Sequence, residues 1–242
     1  MNFKIKQAVI SAGGSGTRLR PIINGLPKVM IPILGKPLLE WHIEQFKKHL
    51  VNEFFLTLHY LPEVIMNYFG DGSRWGVKIS YFIEKEPLGS AGAIKSFEKQ
   101  LDEVFFFIYG DIFSLVDYSK MRDVFFTKEN PIGMERVKKT DDYADADVAE
   151  LDAQGRFLTI HKKPHQEKYE NIYRLRGIFI LRKKILAYLQ ENVISDINKD
   201  LIPAALSQSD NFYGYECDDY SKGIDTLEKW KDVEEYLKSR NI

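Results

Sequence analysis

Residues Ala8–Pro37 read AVISAGGSGTRLRPIINGLPKVMIPILGKP. The apolar run Ala8, Val9, Ile10 stops at Gly13, Gly14 and Gly16, and cations follow at Arg18, Arg20 and Lys28. A strand that feeds a glycine-rich turn lets backbone N–H groups approach an anion with no Cβ in the way, while cations neutralise what the amides cradle. Two common phosphate loops do not fit. A P-loop requires Lys and then Ser or Thr after its last glycine, but Thr17 and Arg18 follow Gly16; the dinucleotide fingerprint requires a third glycine where Leu19 stands.

Working outward, Pro37–Leu50 has helical apolar spacing, Glu53–Tyr60 and Val77–Ile83 read as strands, and Pro62–Phe69 reads as a short helix. Strand, helix, strand, helix, strand predicts an α/β fold with a parallel sheet and crossover helices, in which ligands gather at the carboxyl ends of the strands. Val104–Tyr109 (VFFFIY) is a continuous apolar run, as a central strand requires, and it delivers Gly110 and Asp111 at its tip. A carboxylate there suits a hard cation such as Mg2+, although a turn cap is the competing reading. Later, Pro131–Val137 and Arg174–Leu181 read as strands, and Val148–Leu151 with Phe157–His161 as a hairpin turning at Gln154 and Gly155. The second half is therefore richer in strands.

The whole chain bounds the answer. It has 242 residues, 44% hydrophobic and 29% charged, with 34 basic and 35 acidic side chains giving a net charge of −1. That predicts one α/β domain, 1–242, and supplies no basic excess for nucleic acid or membrane binding. The single cysteine, Cys217, allows neither an internal disulfide nor a cysteine-built metal site. The stretch MNFKIKQAVI is too short and too broken by lysine for a signal peptide, and no apolar run approaches a membrane helix, so the expected location is cytoplasmic. His42 and His49 read as packed or solvated helix residues, and His161 and His165 as bystanders without a partner at useful spacing.

GGSGTRLRP followed by the Lys28 of LPKVMIPI resembles the signature of the sugar-phosphate nucleotidylyltransferases. The wording of Glu84–Ile94, EKEPLGSAGAI, is similar to that of mannose- and heptose-1-phosphate guanylyltransferases in this family. The resemblance implies a Rossmann-like, mostly parallel sheet flanked by helices, the nucleotide-diphospho-sugar transferase fold. A nucleotide-binding half of about 1–116 would be followed by a β-richer sugar-phosphate-binding half of about 117–242. It implies nucleotide binding by Ala12, Gly13, Gly14, Gly16, Thr17, Glu84 and Gly89, catalytic charge neutralisation by Arg18, Lys28 and Lys163, and Mg2+ held by Asp111 and Asp225. Lys162, Lys163 and Gly177 match positions that hold the sugar phosphate.

The implied partners are a nucleoside triphosphate and a sugar 1-phosphate, GTP with a mannose- or heptose-type sugar being favoured, in the biosynthesis of cell-surface polysaccharide. Relatives are often dimers or tetramers, which leaves a homo-oligomer open. The chain departs from the family at three positions. Lys162 replaces a glutamate that touches sugar hydroxyls, and Leu175 and Arg176 stand where Asn and Ala are usual. Asp225, in KGIDT, is less securely aligned than Asp111, with a helix cap as its competing reading; Asp196 reads as a helix cap. Transfer of another base, to another sugar phosphate or to a small phosphate such as phosphocholine, is one alternative. A non-catalytic nucleotide-sugar sensor is the other.

Overall fold

In the computed structural model, residues 4–14, 16, 18, 19, 23, 25–165 and 167–242 are described. Strand β1 (Gln7–Ser11) leads into the glycine loop, after which two-residue strands β2 (Pro32–Ile33) and β3 (Lys36–Pro37) pair and deliver helix α1 (Leu38–Lys48). The chain continues through β4 (Glu53–Leu58), α2 (Pro62–Phe69), β5 (Lys78–Ile83), α3 (Gly89–Lys95), β6 (Val104–Tyr109), β7 (Ile112–Ser114) and α4 (Tyr118–Thr127). Strands β8 (Pro131–Lys139), β9 (Val148–Leu151), β10 (Phe157–His161) and β11 (Ile172–Arg182) follow, then α5 (Ile202–Ser207), β12 (Asn211–Glu216), β13 (Ser221–Gly223) and α6 (Leu227–Ser239).

The chain divides into two compact units, and the division falls within β6. One, the loop unit, comprises Lys6–Pro87, Ile108–Asp117 and Asp219–Ile242; the other comprises Met1–Ile5, Leu88–Phe107 and Tyr118–Asp218.

In the loop unit β1, β4 and β5 are parallel neighbours in register, Val9 opposite Phe55 and Phe55 opposite Ser80. The residues of β1 and β4 are buried enough to demand helix cover, while β5 is largely half-exposed. Helix α1 supplies Leu38, Leu39, Ile43 and Phe46 to that interior, with Glu40 in its first turn and Lys47 and Lys48 in its last, the charge order that suits a helix dipole. Pro62 opens α2 at a position that needs no N–H donor, and Gly70 at φ +54° closes it. A second cluster joins Leu19, Ile23, Ile31, Ile33, Leu38, Phe113, Ile224, Val233 and Leu237. Leu19 therefore anchors the glycine loop in the core, which accounts for an apolar residue where a dinucleotide loop would carry glycine.

In the other unit the strands are mainly antiparallel: β8 with β11, β11 with β9, and β9 with β10, while β12 runs parallel to β8. The hairpin has the predicted bounds, and Phe105, Phe106 and Phe107 of β6 are fully buried, as a central strand requires. Ahead of α5 lies a wide helical turn, Ile197–Leu201, and Asp196 caps it, as expected, by accepting the Asn198 and Lys199 N–H groups. Among the described residues, no helix is long and apolar enough to cross a membrane.

Candidate active site

Strand β1 ends where its neighbour's last carbonyls still hold it: the Ala12 N–H donates to Thr57 O at 2.9 Å. Beyond it the chain is closely approached at Gly13 and Gly16. A Cβ on Gly13 would lie 3.2 Å from His59 and 3.4 Å from the Glu84 Oε1, and one on Gly16, at φ +59°, would meet the Lys28 Cβ at 3.1 Å. Gly14 differs, since no described atom lies within 4 Å of its position for a Cβ. Thr17 and Arg20 lie outside the described residues.

Asp111 reaches the same place from β6. The Gly110 N–H donates to Ser11 O at 2.9 Å, and a Cβ on Gly110 would stand 2.4 Å from that oxygen, so the glycine is what allows β6 to end beside β1. Behind it, buried His42 bonds through Nε2 to Gly110 O at 3.2 Å. Burial lowers the His42 pKa to about 4, against the smaller upward pull of that bond and of Asp111, so the ring is neutral and its Nε2–H donates. The sequence offered no sign of this support.

Asp225 arrives by a second route. Strand β13 pairs antiparallel with β7, Gly223 opposite Ile112, and the Ile224 N–H donates to Asp111 O at 2.8 Å. The two carboxylates are thus delivered by neighbouring strands. The cap of α6 is Thr226, whose Oγ1 accepts the Lys229 N–H, so Asp225 is not spent on the helix end.

These residues line one cavity of about 390 Å3, formed by Ser11, Gly14, Gly16, Arg18, Leu19, Lys28, Val29, Tyr109, Gly110, Asp111 and Asp225. Its charges are paired across it. Lys28 Nζ lies 2.6 Å from Asp111 Oδ2, while Asp225 receives Arg18 at 3.1 Å and Lys229 at 2.6 Å. Desolvation acts upward on the Asp225 pKa, yet Lys229, Arg18 and Lys28 together hold the carboxyl below its usual range. Lys229, one helical turn beyond Asp225, was readable as an i,i+4 pair. Among the described residues, no group of three or more His, Cys, Asp or Glu side chains could hold a metal by itself. Asp111 and Asp225 fit a cation that takes only one or two protein carboxylates and draws its other oxygens from phosphate and water, as Mg2+ does.

Of the predicted residues, Gly14, Gly16, Arg18, Lys28, Asp111 and Asp225 line this cavity. Ala12, Gly13 and Glu84 belong to the same unit but not to its lining. Glu84 is buried behind Gly13, its backbone oxygen bonded to His59 Nδ1 at 3.0 Å. Gly89, Lys162, Lys163 and Gly177 belong to the other unit. Gly89 and Gly92 admit a close neighbour there, and it is the chain itself: their Cβ positions would fall 2.4 Å from Ser195 O and 2.5 Å from Val193 O.

Lys163 is held from two sides, its N–H donating to Asp147 Oδ1 at 3.2 Å and its Nζ to Asp145 O at 3.0 Å. Lys162 Nζ donates to Lys199 O at 3.2 Å. The histidines read as bystanders have partners after all. His161 stacks on Tyr169 at 3.8 Å and bonds Glu150, and His165 bonds Ala146 O at 2.8 Å. With the Tyr169 N–H donating to Tyr143 Oη at 2.9 Å, the His165 bond ties His165 and Tyr169 to the segment 143–146. Gly177 sits at φ +65° in β11.

Known proteins share this chain over most of its length. It is similar to a UTP–glucose-1-phosphate uridylyltransferase from Synechocystis, 31% identical over 88% of the chain, and spans 58% of that protein's length. It is 37% identical, over 74% of the chain and 77% of the relative, to a D-glycero-alpha-D-manno-heptose 1-phosphate guanylyltransferase from Campylobacter jejuni. The crystal structure of HddC from Yersinia pseudotuberculosis complexed with GMP-PN superposes with a TM-score of 0.75 at 26% identity, covering 96% of this chain and 100% of that one. The family model described as nucleotidyl transferase matches residues 7–236, from the first residue of β1 to the last helix and so across the glycine loop, Asp111 and Asp225. The chain belongs to the nucleotidyl transferase family.

Proposed function

We propose that the protein transfers a nucleoside monophosphate from a nucleoside triphosphate to a sugar 1-phosphate and releases pyrophosphate, with GTP and a mannose- or heptose-type sugar 1-phosphate as its pair. The observation that carries this reading is the single cavity in which Gly14, Gly16, Arg18 and Lys28 meet Asp111 and Asp225. The similarity to a heptose 1-phosphate guanylyltransferase supports the choice of substrates.

A sugar-1-phosphate oxygen attacks the α-phosphorus in line, the bond to the β-phosphate bridging oxygen breaks, and that oxygen leaves with pyrophosphate. The nucleophile is already an anion, so no general base is required. The protein has to supply position and charge neutralisation for a transition state whose charge spreads over phosphate oxygens. Arg18, with its side chain 73% exposed, reaches toward the leaving pyrophosphate. Lys28, only 12% exposed, neutralises the α-phosphate region from the cavity floor. Lys163 holds the acceptor's phosphate.

Asp111 and Asp225 would hold a divalent cation, Mg2+ by the chemistry of its donors, which would supply positive charge to the phosphates when bound. Asp111 would serve as a ligand to that cation, and Lys28, its ion-pair partner at 2.6 Å, would neutralise phosphate oxygen.

The test is pyrophosphate release from each of the four common nucleoside triphosphates with Mg2+ and a panel of sugar 1-phosphates. Release with GTP and a mannose- or heptose-type acceptor is expected. No release with any pair overturns the transferase, and release with UTP alone overturns the base assignment while leaving the reaction class.

A further inference from the structure

Strand β11 changes register against β8 between Leu175 and Phe179. Leu175 lies opposite Val137 and Phe179 opposite Glu135, so β11 carries two residues more than β8 across this interval. A bulge of this kind takes backbone N–H groups out of the ladder, and buried N–H groups must find another acceptor. Glu135 provides it. Its side chain is fully buried, its Oε1 accepts the Gly177 N–H at 2.8 Å, and the Arg176 N–H also donates to the carboxyl. Among the described residues, Oε2 has no hydrogen-bond partner.

Burial, above all, pushes the Glu135 carboxyl well above the usual carboxylate range; the two N–H groups act the other way, and Asp147 and Asp196 add to the rise. No ligand can touch a side chain buried this fully, so any part it plays is exerted through the backbone it holds.

We propose that Glu135 is a positioning residue for the acceptor: from β8 it fixes the bulged Arg176–Gly177 backbone that the sugar 1-phosphate meets. This rests on the reading of Gly177 as an acceptor-site residue. It also bears on the departures at Leu175 and Arg176. Where the family carries an amide side chain, this chain has leucine, so backbone groups of the bulge stand in for that amide, and their direction depends on the carboxyl beneath them.

Two variants separate this role from general stability. Glu135→Gln keeps an oxygen that accepts both N–H groups, and the acceptor KM stays within about twofold of wild type. Glu135→Asp withdraws that oxygen by one methylene and raises the acceptor KM about tenfold, the size expected for buried N–H groups left unbonded, while the KM for the nucleoside triphosphate is unchanged. Amide hydrogen exchange supplies a readout without activity: the Arg176 and Gly177 amides exchange slowly in wild type and in Glu135→Gln, and fast in Glu135→Asp.

An unchanged acceptor KM in Glu135→Asp, or a parallel rise in both KM values, overturns the proposal. Should Glu135→Asp fail to fold, a Glu135→Gln variant with an acceptor KM raised about tenfold overturns it instead. If wild type releases no pyrophosphate with any pair, the transferase reading has failed. The exchange data then still decide whether Glu135 holds the bulge, and equally slow exchange in wild type and Glu135→Asp denies it.

Discussion

Alanine at two glycines of the loop unit distinguishes room kept for a substrate from room taken by the fold. At Gly110 a Cβ would stand 2.4 Å from Ser11 O and 2.7 Å from Val29 Cγ1. Against an ordinary C···O approach of about 3.3 Å, the ends of β1 and β6 would have to part by roughly 0.9 Å. The Gly110 N–H bond to Ser11 O crosses the same gap and is lost with it. Overpacking of about 1–3 kcal/mol and a broken backbone bond of about 1 kcal/mol give a destabilisation near ~3 kcal/mol, a large share of the 5–15 kcal/mol typical of a domain. At Gly14 a Cβ would touch no described atom, and the residue faces the cavity. Gly14→Ala should therefore stay within ~0.5 kcal/mol of wild type in stability yet lose about tenfold or more in kcat/KM for the nucleoside triphosphate, because the methyl occupies space meant for phosphate. Urea unfolding and pyrophosphate release, run on both variants, read the two quantities. A Gly110→Ala protein as stable as wild type refutes the close approach of the strands; a Gly14→Ala protein with kcat/KM unchanged refutes the loop as the place where phosphates sit.

Three further outcomes are expected. The His42 pKa is lowered from 6.5 to about 4, so the unfolded chain binds the proton that the native chain refuses, and stability falls as pH drops from about 6.5 to 4, by about 3 kcal/mol in all. Urea midpoints between pH 7 and pH 4 should show this slope in wild type and lose it in His42→Gln, and a slope kept in the variant would assign it to other groups. Lys28→Met leaves Asp111 without its partner and the α-phosphate without its cation, and kcat should fall by about 100-fold or more with the urea midpoint little changed, since the pair is partly exposed. Chelation with EDTA should abolish pyrophosphate release and Mg2+ restore it, with Asp225→Asn requiring more Mg2+ than wild type; equal Mg2+ dependence would remove Asp225 from the metal site.

The parallel strands and the loop were legible because each is specified locally. The run VFFFIY can only be a strand buried on both faces, and what stands at its end is exposed by necessity. Strand β13 was not legible, since Ser221, Lys222 and Gly223 carry no alternation and are held by pairing with β7, more than a hundred residues earlier. Strand β12 was missed for a similar reason: Asn211–Glu216 has glycine within it, and a Cβ on Gly214 would lie 2.7 Å from Leu151 Cδ1, so its identity is set by a distant neighbour. The ambiguity at Asp225 had a different origin. Aspartate and threonine are both good caps, and side by side in KGIDT the residue types cannot decide between them. The backbone decides, because Thr226 takes the extended conformation of a cap, and the carboxylate one position earlier is released to the cavity.

The proposed acceptor side was the least legible part, and the reason is physical. A glycine loop announces a phosphate because its amides, its cations and its strand lie in one short window. The groups around Lys163 and Gly177 are collected from across the chain: Asp145 and Asp147 from the loop before β9, Tyr169 from the segment before β11, and Glu135 from the middle of β8. In sequence, Glu135 is the one acid of a strand that also carries Arg136, Lys138 and Lys139, and nothing near it signals that two N–H groups forty residues away require an acceptor. The departures at Lys162 and Leu175 belong to the same pattern. Lys162 turns its Nζ to Lys199 O, and the Leu175 N–H donates to Asp147 O at 3.1 Å. If these loops hold the acceptor as proposed, a variant that loosens one tie among them should alter the acceptor KM before it alters the rate of transfer.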